Sequence, residues 1–141
     1  MRRPEVETSV VALLVGALAI WVGTAASGDG DEGKTDGPVI TVAGWNGYPT
    51  AQINGQLRLI QGCLLIGNSV VFWAAGTSWD AGKQAVEFEN AEPVRVGDDF
   101  SGGGGHYSGT NLDGLEGVDT TAVSACLRQT GADDAVIATP P

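Results

Sequence analysis

The sequence predicts a mainly β fold: a small OB-like barrel, with a small β-sandwich as the alternative. One short helix is expected near the C-terminus, and an apolar helix precedes the domain. Three observations carry this reading. Residues 52–60 alternate apolar and polar side chains with the period of a half-buried strand. The run 70–73 is continuously β-branched and aromatic. Between such runs, 22 Gly and 6 Pro in 141 residues scatter turn signals along the chain.

Residues 1–26 read as an export segment. Arg2 and Arg3 precede an uncharged stretch over residues 8–28, ended by Asp29, with its apolar heart at 10–22. A helix apolar on all faces needs a large protein or a membrane around it, and 141 residues do not make a large protein. As a signal peptide, the Arg pair is the basic region and Thr24-Ala25-Ala26 the small-residue cleavage site. As a single-pass anchor, residues 9–27 fall within the ~17–25 that cross the hydrocarbon core. Trp21 then suits the outer interface. Glu5 and Glu7 dilute the basic region and favour the anchor. In both forms the basic end stays inside. The expected location is therefore extracytoplasmic: anchored in the membrane by the retained helix, or secreted after cleavage near Ala26.

Residues 27–37 read as an acidic, flexible linker. Within it, residues 28–35 match the phosphate-loop pattern G-x4-G-K-[ST]. That chemistry needs a strand before the loop and a helix after it. Here an export helix precedes and Asp36-Gly37-Pro38 follows, so no nucleotide site is expected. A calcium loop counted from Asp29 would need Gly sixth and Glu twelfth; Lys34 and Ile40 stand there.

Residues 38–141 read as the extracytoplasmic β domain. Residues 39–43 make a short apolar run ended by the turn signal Asn46-Gly47. In the strand over 52–60, Ile53, Leu57 and Leu59 share one face. Gly62 breaks it, residues 63–66 return, and Gly67-Asn68-Ser69 turns into 70–73, a strand buried on both faces. Residues 85–89 alternate with Val86 and Phe88 inward, and Val94 and Val96 repeat the pattern. The helix follows. Asp119 or Thr120 caps it, Val123, Cys126, Leu127 and Thr130 recur at helical spacing, and Gly131 stands at the left-handed C-terminal position. A final strand over 135–138 ends at Pro140 and Pro141.

Outside the cytoplasm, two thiols in one small domain usually pair. Cys63 opens a strand and Cys126 lies on the apolar side of the helix, so a bridge would pin helix to barrel. With no C-x-x-C and no second pair, neither a zinc nor a redox site is expected.

The formal net charge of −10 argues against nucleic acid as a partner. His106 is the single imidazole. A hydrolase reading makes it the base, with Asp98, Asp99 or Asp113 orienting it and Ser101 or Ser108 as nucleophile. A hard-cation reading gathers Asp98, Asp99, His106 and Asp113, with Glu116 and Asp119, but no motif spacing supports it. An exposed loop histidine on an acidic, solvated rim is the simpler reading. The glycine run 102–105 fits no dinucleotide fingerprint and reads as a wide bulge or mobile loop. No cofactor is indicated. Among the aromatics, Trp73 belongs to the core. Trp45, Tyr48 and Trp79 lie in or near turns and, with His106 and Tyr107, are the ligand-binding candidates.

Gly55 with Leu57, Gly62-Cys63-Leu64, Val71-Phe72-Trp73 with Gly76-Thr77, Val96-Gly97-Asp98 before the glycine run, and late Cys126 together resemble a small exported domain. That domain, of unknown function, occurs in secreted or lipoprotein-like proteins of high-GC bacteria. In its pattern a Pro commonly follows the Trp, where this chain has Ala74-Ala75. The resemblance covers residues 52–138. It implies a compact β domain with an early Gly-Cys and a late Cys, and it assigns no active site. The expected function is a non-enzymatic binding module of the cell envelope, its partner an envelope protein or a glycan. The alternative is a metal-dependent or His-assisted hydrolase using the acidic, glycine-rich segment.

Overall fold

The computed structural model describes residues 35–141, so the expected export helix and residues 27–34 of the linker lie outside the described residues. The last linker residues belong to the fold: β1 (Thr35–Asp36) pairs antiparallel with β2 (Val39–Ile40). β3 (Ala51–Ile60), β4 (Cys63–Ile66) and β5 (Ser69–Trp73) follow as a meander. Its two hairpins turn at Gln61-Gly62 and Gly67-Asn68, the two-residue loops that match strand twist. β6 (Ser78–Asp80), β7 (Ala85–Glu87) and β8 (Val94–Arg95) form a separate antiparallel sheet. β9 (Asp99–Tyr107), α1 (Gly109–Asp113), α2 (Thr120–Thr130) and β10 (Asp134–Thr139) complete the order.

Five strands close into a barrel in the order β10-β5-β4-β3-β9. β10 runs parallel to β5 and antiparallel to β9. The barrel, rather than two packed sheets, is the architecture.

Alternation along the strands sorts the apolar residues into two layers. Ile53, Leu57, Leu64, Ile66, Val71, Trp73, Phe100, Val136 and Ala138 fill one, with Val39 and Val86 from the flanking strands. All five barrel strands contribute, so this layer is the barrel interior. The alternate residues Cys63, Leu65, Val70, Phe72, Ala135 and Ile137 pack outside against Leu112 of α1 and Val123 of α2. Residues 63–66 of β4, 70–73 of β5 and 135–138 of β10 are thus covered on both faces, which is why these runs are apolar without interruption.

α2 has the expected ends. The Asp119 carboxylate accepts from the Ala122 N–H at 3.0 Å, and Gly131 closes the helix with φ 71°. A Cys63–Cys126 disulfide ties β4 to α2 across a separation of 63 residues. In the short helix α1, Ser108 stands at the N-cap position, but its side chain makes no cap hydrogen bond.

The glycine run 102–105 lies in β9, neither a free loop nor an isolated bulge. A Cβ at Gly102 would overlap the Thr139 carbonyl oxygen, and one at Gly104 would overlap that of Ile137. β9 crosses β10 too closely there for any side chain, so the run serves barrel closure.

Candidate functional site

The segment between β2 and β3 carries two of the aromatic candidates. Val42 N–H donates to the Trp73 carbonyl at 3.0 Å, and Ala43 N–H donates to that of Gly117 at 2.7 Å. Trp45 and Tyr48 are therefore fixed over the outer layer. The Trp45 indole N–H donates to the Glu116 carbonyl at 2.8 Å. The Tyr48 hydroxyl accepts from the Ala75 N–H at 3.2 Å.

The two rings lie 6.0 Å apart with planes inclined by 29°. Tyr107, the last residue of β9, meets Trp45 edge-on at 6.4 Å. Phe72, fully buried, stands 6.4 Å from Trp45 and 6.1 Å from Tyr107. Each such pair adds ~0.5–1.5 kcal/mol beyond area burial. Trp45, Tyr48 and Tyr107 stay half-buried, which makes one rigid aromatic patch with a solvent-facing side. Trp79 is elsewhere. It sits in β6 against the interior layer, its backbone N–H donating to the Asp36 carboxylate at 3.0 Å and its ring close over Gly37.

His106 is in β9 and has a partner that no local pattern signals. Its Nδ1 lies 2.8 Å from Oδ2 of Asp134, the first residue of β10. The Ser69 hydroxyl donates to the other oxygen, Oδ1. Register explains the meeting: Asp134 faces Ser69 across the parallel pair, and Val136 faces His106 across the antiparallel one. Asp134 therefore holds both neighbours. The serine bonds the carboxylate instead of the imidazole, so the order of contacts is Ser-Asp-His. Nucleophilic activation needs the base between the other two.

The remaining candidates do not gather. Asp98 closes its own turn, accepting from the Arg95 N–H at 3.2 Å. Asp99, Ser101 and Asp113 are exposed, and Asp119 caps α2. Glu116 joins the patch through its backbone carbonyl. Among the described residues, no three His, Cys, Asp or Glu side chains stand close enough to hold a metal ion. Also among the described residues, no helix is long and apolar enough to cross a membrane.

No protein-family model matches this chain, and no curated protein and no solved structure gives a significant match.

Proposed function

We propose that this chain is a non-enzymatic binding module of the bacterial cell envelope that takes a glycan on the patch of Trp45, Tyr48 and Tyr107. The observation that supports this is the convergence of three half-exposed rings on one rigid face. Flat aromatic surfaces suit the apolar faces of sugar rings, and a fixed patch loses little conformational entropy on binding. We read the barrel as OB-like, an architecture whose open faces and loops take oligosaccharides and oligonucleotides. Nucleic acid fits the charge of −10 poorly. The Cys63–Cys126 bridge fits an oxidising compartment, hence an exported protein. Residues 1–26 would anchor it in the membrane, or direct its secretion by cleavage near Ala26.

The hydrolase reading rests on one contact, His106 with Asp134. It needs a nucleophile that bonds His106, whereas the Ser69 hydroxyl is bonded to Asp134.

The test is titration of the full chain, in detergent micelles, with soluble fragments of envelope polysaccharide, followed by calorimetry and by mass analysis of the sugar. Saturable binding is expected, weakened about tenfold or more by Trp45→Ala and by Tyr107→Ala while the far-ultraviolet spectrum is kept. Binding that ignores both substitutions would remove the patch from the account. Shortened polysaccharide chains would turn it toward hydrolysis.

A further inference from the structure

β9 is paired unevenly along its two edges. β3 covers one edge from Asp99 to Gly104, whereas β10 covers the other from Gly103 to Tyr107. β10 stops after Thr139 because Pro140 and Pro141 have no N–H to give to a ladder.

The hydrogen bonds where β9 begins decide which groups stay open. Gly97 N–H donates to the Leu57 carbonyl, and Leu57 N–H donates to the Asp98 carbonyl. Residues in an antiparallel ladder alternate between bonded and non-bonded pairs. Gly55 with Phe100 is then the next bonded pair, and Asp99 and Ser101 turn their N–H and C=O groups outward. No strand among the described residues meets them there.

An apolar groove of about 320 Å³ lies beside this edge, lined by Phe88, Pro93, Val94, Phe100, Pro140 and Pro141. A second hollow of about 220 Å³ shares Phe88 and Pro140 with it. Glu92 and Asp99 border the first and Glu89 the second, and neither hollow is lined by Lys or Arg. All three carboxylates are exposed and make no ion pair or side-chain hydrogen bond among the described residues.

We propose that this edge and groove take an extended cationic peptide, which adds to β9 as a strand beside Asp99 and Ser101. Strand side chains alternate between faces. A segment alternating apolar residues with Lys or Arg would therefore lay the first against Phe88 and Val94 and bring the second to Glu89, Glu92 and Asp99. Main-chain bonds to the open edge supply affinity, and the carboxylates select the charge. Tyr48 of the aromatic patch also lines the second hollow, but the open edge and the first groove share no residue with that patch, and the proposal does not depend on it.

Three hexapeptide probes test it: one alternating Lys and Val, the same pattern with Glu for Lys, and the Lys peptide with every second backbone nitrogen methylated. Each is titrated into the full chain, with amide exchange read residue by residue. The Lys peptide is expected to bind and to protect the Asp99 and Ser101 amides, and the Glu and methylated peptides to bind at least tenfold more weakly. Glu89→Lys with Glu92→Lys, both exposed and so compatible with folding, is expected to cost the Lys peptide about tenfold. Equal binding of the Glu peptide, or protection confined to the aromatic patch, would overturn the proposal. Protection of Asp99 and Ser101 before any peptide is added would overturn it too, the edge then being filled by a second copy or by the chain's own N-terminal segment.

Discussion

Gly104 shows how one absent side chain shapes this molecule. A Cβ there would collide with backbone, which cannot move aside, whereas one at Gly103 would meet the Thr139 side-chain oxygen at 3.2 Å. Gly104→Ala is expected to lose ~3 kcal/mol or more, or to give no folded protein, and Gly103→Ala ~1 kcal/mol. Urea midpoints at unchanged slope would separate the two; equal losses would show that β9 does not approach β10 this closely. Asp134 makes a second residue-level case. Asp134→Ala is expected to cost ~1–2 kcal/mol, since it strips the bond from Ser69. His106→Ala should cost less than ~1 kcal/mol, because the imidazole is 57% exposed and solvent competes for its contact. A single sequence contains Ser69, His106 and Asp134 as three unrelated polar residues. Strand register is what makes them neighbours.

At the scale of elements, α2 and β9 behave oppositely. α2 is set by local chemistry: an apolar face, an N-terminal carboxylate and a left-handed glycine, each within one turn of the end it fixes. Its ends were therefore legible. Asp119→Ala is expected to cost ~1 kcal/mol through the lost cap, and Gly131→Ala ~1–2 kcal/mol because Ala resists φ 71°. Thermal unfolding of both variants checks this, with roughly additive losses since the ends lie far apart. β9 shows what stays hidden. Four successive glycines have low intrinsic strand preference, so local reasoning makes them a bulge or loop. Pairing with β3 on one edge and β10 on the other overrides that preference. α1 escaped for the related reason that five residues leave too little periodicity to read.

For the whole molecule, the disulfide joins the barrel to the helix that covers it. A closed loop of this length stabilises by ~4 kcal/mol in the chain-entropy model. Reduction, or Cys63→Ser with Cys126→Ser, is expected to lower stability by about that amount and to free the α2 amides to exchange before those of the barrel. Unfolding unchanged by reductant would mean that packing under α2 holds the layer unaided. The candidate site divides along the same line. Trp45, Tyr48 and Trp79 look alike as aromatics near turns, yet the fold assembles Trp45 and Tyr48 with Tyr107 and places Trp79 against the other layer. By itself, the sequence determined the strand-rich class, the position and caps of the main helix, the chain's acidity and a cysteine pair suited to bridging. Each of these is written in neighbouring residues or in composition. Tertiary structure decided the closed order of the barrel, the use of the glycine run, the partner of His106 and the membership of the aromatic patch. The physical reason is that these depend on the register between distant strands, where a shift of one residue would turn every side chain to the other face.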